Sequence, residues 1–263
     1  MNNLTFCCTS GVVSPDDYLV INAFKTWARL GVDVHLWGPD NDEFKELLSS
    51  YNITLHPEGS LSESGLPFLD SLLDSMLSVV STDYMCYINA DIMIFPDFLA
   101  SASFLQENVK DFFMVGQRYD WFSPHLISDS WTQKDIQKVV SENGAIHDPC
   151  GIDYFLFKTD FLRGVTIPPF IVPKFRWDQW FIGLSKVGRI PLIDATATVQ
   201  AIHSDPISRH VRPDSDELYN DQLFFKADTW KPAPKGFCSI VDADFITSYN
   251  ADQQICLSRK TLS

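Results

Sequence analysis

The chain is 263 residues long with 45% apolar content, enough for a sizeable core, and 34 acidic against 20 basic residues leave a formal charge of −14. No basic block occurs anywhere, which disfavours a nucleic-acid partner, because phosphate-backbone binding rests on clustered Lys and Arg. The opening residues MNNLTFCCTS have neither a charged n-region nor a long apolar h-region, and no run of about eighteen apolar residues follows, so no export and no transmembrane segment are expected and the expected location is cytoplasmic.

Leu4 to Cys8 reads as a short apolar strand ending in Thr9, Ser10 and Gly11, and the spacing of Tyr18, Ile21, Phe24 and Ala28 predicts a helix from Asp16 to Leu30. Adjacent Cys7 and Cys8 point to opposite faces of that strand. With no CxxC spacing in the chain, the cysteines read as core thiols and not as metal ligands. VDVHLW (32–37) alternates and closes on Gly38-Pro39-Asp40, and a helix opened by Asn41 or Asp42 leads to the strand ITLHP (53–57). Residues 67–80 carry Phe68, Leu72, Leu73, Met76, Leu77 and Val80 on one helical face and feed into YINADIMIFPDF (87–98), where Pro96 suits a helix start. There follow a strand FFMVGQR (112–118), an aromatic and Ser-rich loop (120–131), a strand IDYFLF (152–157), a Pro-rich turn, a helix over RWDQWFIGLSKVG (176–188) and a strand around Ala197 to His203. The acidic PDSDEL (213–218) reads as a solvated loop or helix start. Alternating strands and helices imply an α/β fold, a mostly parallel mixed sheet flanked by helices. The expected division is a domain over residues 1–210 and a C-terminal extension, 211–263, packed on it.

In open sheets of this kind ligands bind outside the carboxyl ends of the strands, where Thr9, Ser10, Asp40 and Asp91 all fall. Asp91 interrupts an apolar run, and a buried carboxylate there is costly unless something binds it. Two accounts stand: a turn residue satisfied by backbone N–H groups, or a ligand for a hard cation such as Mg²⁺ or Mn²⁺. His203-Ser204-Asp205 matches half of a facial iron triad, but His210 is too near to complete it. Asp242-Ala243-Asp244 lies too late in the chain for a phosphatase Asp pair. GxSxG, P-loop, Rossmann glycine and HExxH patterns are absent.

The segment YINADI resembles the strand-end DxD-type motif of GT-A-fold glycosyltransferases, with Asn89 in the first position and Asp91 in the last. The Thr9-Ser10 strand end, GIDYFLF (151–157), RWDQW (176–180) and AIHSD (201–205) stand in the order that fold requires, so the resemblance spans roughly residues 3–205. It implies a Rossmann-like GT-A fold and a metal-assisted transfer of a hexosyl or deoxyhexosyl unit from a nucleotide-diphosphate sugar to a hydroxyl of a glycan, lipid-linked or protein acceptor. By the same resemblance Asp91 and His203 hold Mn²⁺ or Mg²⁺ against the donor diphosphate, Asn89 faces the ribose or a metal-bound water, and Thr9, Ser10 and Asp40 line the base and ribose pocket. Arg118 offsets diphosphate charge, Asp178 deprotonates the acceptor, Trp177 and Trp180 offer rings to the sugar, and Asp153 contacts donor sugar or acceptor.

Plainer accounts stand beside each of these: His203 on a backbone carbonyl, Arg118 paired with Asp120, Asp178 as a helix-start acid with both tryptophans in the core. Asn89 in place of an acid removes one negative charge and weakens metal affinity in the absence of nucleotide. A non-catalytic nucleotide- or sugar-binding module on the same fold is the rival reading for the whole protein. A nucleotidyltransferase is a weaker one, since no Gly-rich loop follows the first strand.

Overall fold

A computed structural model of the chain describes residues 3–122, 125–204, 214–226 and 238–261. Asp205, His210 and Pro213 of the sequence readings, and the expected boundary at residue 210, lie outside the described residues. In chain order, the first half comprises β1 (Leu4–Thr9), α1 (Tyr18–Ala28), β2 (Asp33–Gly38), α2 (Asp42–Ser49), β3 (Ile53–Pro57), α3 (Leu69–Val79), β4 (Tyr84–Ile88), β5 (Ile92–Met93) and α4 (Pro96–Asn108). The second half comprises β6 (Phe113–Val115), β7 (Arg118–Asp120), α5 (Gln133–Asn143), β8 (Ala145–Ile146), β9 (Tyr154–Lys158), α6 (Trp177–Val187), β10 (Leu192–Asp194), β11 (Ala201–His203), α7 (Ser215–Lys226), β12 (Phe245–Tyr249) and β13 (Ile255–Arg259).

The main sheet has nine strands in the order β13-β12-β10-β6-β9-β4-β1-β2-β3, parallel except for β9 and β13. Both faces are buried, as the continuous apolar runs require. The alternation of side chains splits neighbouring residues between two cores: Phe6 and Cys8 pack with Trp27 and Phe98 on one face, while Cys7 packs with Trp37, Tyr87 and Trp180 on the other. Asn41 caps α2 through the Phe44 N–H at 2.8 Å, the start that the sequence marks. Among the described residues no helix is long and apolar enough to cross a membrane.

The pause at Asn89-Ala90-Asp91 is a change of sheet. Ile92 N–H bonds back to the Asn89 carbonyl at 3.2 Å, and the chain then enters a smaller four-stranded sheet, β5-β11-β7-β8. Trp27 Nε1 secures the far side of the turn by donating to the Ile92 carbonyl at 2.9 Å.

Two sequence expectations change, for FFMVGQR and for the strand from Ala197, and helix α5 is an element that the sequence reading did not give. FFMVGQR is not one strand: Gly116 and Gln117 separate β6 in the main sheet from β7 in the smaller one. Gly116 passes so close to Tyr154 that a Cβ would lie 2.2 Å from its hydroxyl, and Gln117 N–H is taken by Thr196 Oγ1 at 2.9 Å. Helix α5 follows directly on the expected loop, started by a capping box in which Thr132 and Asp135 satisfy each other's backbone N–H groups. The strand expected from Ala197 shortens to Ala201–His203. At the C-terminal end, β12 pairs in parallel with β10, so this stretch extends the central sheet.

Candidate active site

Because β9 runs against β4 and β6, its first residue lies at the carboxyl edge of its neighbours, which brings Asp153 beside the Asn89 turn. Asn89 N–H donates to the Asp153 carbonyl at 2.9 Å and its Nδ2 to Asp153 Oδ1 at 2.7 Å. The Asn89 amide is therefore committed to Asp153, a partner that the sequence reading did not give it. Arg118, the first residue of β7, donates from Nη1 to Asp153 Oδ2 at 3.0 Å and from Nε to Asp120 Oδ1 at 2.9 Å. The Arg118–Asp120 pair that the sequence suggested is present, and the guanidinium has two carboxylates to serve.

Strand β11 lies between β5 and β7, with His203 opposite Ile92 on one side and Asp120 on the other. That register sets His203 Nε2 3.2 Å from Asp91 Oδ2. Burial works against the imidazolium, but the hydrogen bond and charge of Asp91 hold the His203 pKa above the ordinary value. Burial likewise works against the Asp91 carboxylate, and His203 together with Arg118 brings it below the ordinary range. Asp91 remains 36% exposed toward the cleft.

At the opposite wall stands the start of α6. Arg176 precedes it in a left-handed conformation, φ 88°, a strained arrangement for a residue with a side chain, tied down by ion pairing with Asp221 of α7 and by Gln179 at 2.9 Å. Asp178 follows in the first helical turn. Burial raises its pKa to about 6, the Asp153 charge adds to the rise, and a hydrogen bond from its neighbour Gln179 N–H only partly offsets it.

Asn89, Asp91, Arg118, Asp153, Asp178 and His203 thus line one cleft of about 480 Å³, floored by Trp177. The tryptophans are a correction. Trp177 is 4% and Trp180 1% exposed, with their rings packed on Phe181 and, respectively, Tyr87 and Phe170, because this helix face closes the core on α3 and β9. Phe175 at the cleft mouth, 64% exposed, is the open ring instead. Thr9, Ser10 and Asp40 stand on the same sheet edge but outside this lining. Thr9 Oγ1 and Ser10 N–H both donate to the Trp37 carbonyl, at 2.9 and 3.2 Å, and Asp40 is exposed.

The sequence reading named Asp120 only as an ion-pair partner of Arg118 and gave His147 no role. Asp120 lies between Arg118 and His147, whose Nδ1 sits 2.6 Å from Asp120 Oδ2. His147 itself lies on the cleft wall against Gly151, where a Cβ would stand 2.3 Å from the imidazole.

Asp91 and His203 supply one carboxylate and one imidazole, donor types that a divalent cation accepts, and the two are hydrogen-bonded to each other at 3.2 Å. Among the described residues no group of three or more His, Cys, Asp and Glu is placed to hold a metal, so these two make a light set that leaves most positions to substrate oxygens and water.

No protein-family model matches the sequence, and no curated protein matches it. Among solved structures it is similar to residues 1–349 of S. aureus TarS in complex with UDP-GlcNAc, with a TM-score of 0.52 and 11% identity over 85% of this chain and 70% of that one. Mannosyltransferase PcManGT from Pyrobaculum calidifontis, in complex with GDP-Man and Mn²⁺, is matched at a TM-score of 0.48 and 12% identity over 79% of this chain and 58% of that one. HddC from Yersinia pseudotuberculosis is matched at 0.44 and 9%, over 77% and 94%. With the mostly parallel central sheet, the helices on both its faces and the carboxylate turn after β4, the TarS likeness shows that this chain has a GT-A, Rossmann-like fold.

Proposed function

We propose that the protein is a glycosyltransferase that moves a sugar from a nucleotide-diphosphate sugar to an acceptor hydroxyl in the cleft between the Asn89–Asp91 turn and the start of α6. The observation that carries this reading is the arrangement across the cleft: Asp91 beside His203 at 3.2 Å on one wall, and Asp178 in the first turn of α6 on the other, its carboxyl pushed up to about 6 by burial. Asp91 and His203 would hold Mn²⁺ or Mg²⁺, and such an ion supplies neutralisation of charge on the leaving diphosphate.

The chain's own residues do the rest. Thr9, Ser10 and Asp40, on the sheet edge beside the cleft, take the base and ribose. Arg118 adds positive charge near the diphosphate, and Phe175 offers a ring to a sugar. Asp178 accepts the proton of the acceptor hydroxyl as its oxygen bonds to the anomeric carbon, while the bond from that carbon to the diphosphate oxygen breaks and the nucleoside diphosphate departs. Asp153, bonded to Asn89 and Arg118, fixes the floor between the two walls and sets a negative charge that keeps Asp178 basic.

Thermal unfolding with nucleoside diphosphates and nucleotide sugars, each with and without Mn²⁺, tests the reading. Binding at a hundredfold excess over Kd adds about 2.7 kcal/mol, a shift of about 5 °C. A Mn²⁺-dependent shift with one nucleotide class, lost in Asp91→Ala, is the expected result. No shift with any member of the panel would remove the donor site, and nucleotide binding without sugar transfer to any acceptor would leave a binding module on the same fold.

A further inference from the structure

The smaller sheet has a second face. Arg118 of β7 lines the candidate active site, so the alternation of the strand sends the next residue, Tyr119, to the opposite side. There Tyr119 lines a pocket of about 700 Å³ that shares no lining residue with the cleft. Its other walls are α5 with Lys134 and Lys138, the loop before β11 with Gln200, Asp97 in the first turn of α4, and Tyr249 at the end of β12. Helix α5 turns this polar face outward because Ile136 and Val140 bury the other. The polar groups of the pocket have bonding capacity to spare. Gln200 keeps its side-chain carbonyl oxygen buried without a hydrogen-bond partner, which a buried acceptor does not tolerate cheaply. Asp97 accepts from Gln200 N–H at 3.0 Å and from Phe98 N–H at 2.8 Å, and among the described residues no cation pairs with it. Lys134 and Lys138, both exposed and one helical turn apart, form no ion pair among the described residues, and Asp135 on the same helix is committed to the capping box.

We propose that this pocket is a second, non-catalytic saccharide site and that it takes a sugar carrying a carboxylate, a uronic-acid unit. The inference goes beyond the transfer reading and does not depend on it. Sugar hydroxyls both donate and accept, which suits a wall built of amide, carboxylate and hydroxyl groups. Asp97 and the Gln200 carbonyl take hydroxyl protons, while the two lysines take the sugar carboxylate through charge-assisted bonds. On a chain of net charge −14, two lysines without ion-pair partners on one wall are a local exception that favours an anionic group. Asp97 in the same pocket works against a polyanion such as a diphosphate, because like charges set side by side are costly. A uronic acid brings a single negative charge for the lysines and hydroxyls for Asp97. Tyr249, 45% exposed at the rim with its hydroxyl 3.5 Å from the Thr198 carbonyl, offers its ring to the C–H side of the sugar.

The test follows amide chemical shifts of the ¹⁵N-labelled full chain during titration with trigalacturonate, a hyaluronan tetrasaccharide, neutral chitotriose and inorganic phosphate. The proteins are the wild type, Tyr249→Ala and the double variant Lys134→Ala/Lys138→Ala, whose exposed positions leave the core untouched. The expected result is that a uronate shifts residues 133–141 and the surroundings of Tyr249. Its Kd rises about 10-fold in the lysine variant and about 3- to 10-fold in Tyr249→Ala, and chitotriose binds the wild type about 10-fold more weakly. Uronate shifts confined to residues 176–179 would put the sugar in the cleft instead. Equal binding of chitotriose, or of a uronate to the lysine variant, would remove the acidic sugar, and a response to phosphate alone would leave an anion contact only. Each of these, like the lack of a shift with every probe, overturns the proposal. None of the probes carries a nucleotide, so the donor reading stands or falls on its own test.

Discussion

Asp178 concentrates the chemistry of the cleft in one titration. Burial lifts its pKa to about 6, so as a proton acceptor it is competent above that value and is lost below it. Transfer activity is expected to fall as pH drops through about 6, and Asp178→Asn is expected to keep donor binding while lowering turnover by about 10²- to 10⁴-fold. A variant with near-wild-type turnover would strip Asp178 of the role. The same shift works against stability. Between the unfolded carboxyl value of about 3.9 and 6 the folded state binds more protons, so stability declines as pH rises across that window and stays lower above it. Asp178→Asn should therefore melt higher than the wild type at neutral pH, with the difference vanishing below about pH 4 in paired melting curves. Gly151 matters for a steric reason. A Cβ there would meet the Cδ2, Cγ and Cβ atoms of His147 at 2.3, 2.7 and 2.9 Å, and His147 cannot retreat without breaking its bond to Asp120. Gly151→Ala is expected to cost about 1–3 kcal/mol, read as a lower denaturation midpoint with an unchanged slope.

At the level of elements, α7 is joined to the wall that carries Asp178. Asn220, fully buried, donates to the carbonyls of Ile171 and Phe175 and accepts from Ile171 N–H, at 2.8 to 2.9 Å. Ion pairs from Lys174 to Asp214 and from Arg176 to Asp221 bracket it. Asn220→Ala removes the partner of the buried Ile171 N–H, at a cost of about 1–3 kcal/mol, and that of the Phe175 carbonyl, while the Ile171 carbonyl keeps its bond from Lys174 N–H at 3.1 Å. Hydrogen exchange in residues 170–178 should accelerate in this variant while that of β1 and β4 stays as in the wild type. Unchanged protection around Arg176 would mean that α7 contributes nothing to the wall. Helix α5 shows what pattern reading overlooks: Ile136 and Val140 are its only buried positions, too few for a clear apolar stripe, and the Thr132–Asp135 capping box is the better local mark.

For the whole molecule, the C-terminal hairpin β12–β13 completes the edge of the central sheet instead of forming a separate body. Lys260 reaches Asp194 at 2.9 Å and the Ile240 carbonyl at 2.8 Å, and buried hydroxyls link Ser101, Thr198 and Thr247 across α4, the loop before β11 and β12. We expect one calorimetric unfolding transition for the chain, with the residues after 210 melting together with those before. Two resolved transitions would instead make that stretch an independent unit.

The sequence by itself determined the layering and the edge at which a site would stand. Apolar runs of strand length alternating with amphipathic helices leave a mostly parallel, doubly covered sheet as the economical arrangement, and Asp91, Asp153, Asp178 and His203 fall at element boundaries where polar groups can reach a ligand. Tertiary structure decided what those boundary residues touch. Asp120 and His147 are 27 positions apart and meet through the pairing of short strands in the smaller sheet, and no local pattern encodes such a register. Trp177 and Trp180 carry the same local signal whether they face a sugar or a core, and the packing of α6 on α3 and β9 chose the core. Local periodicity reports which faces are apolar. Contacts between strands distant in sequence settle which polar groups face one another, and they exist only once the sheet order is formed.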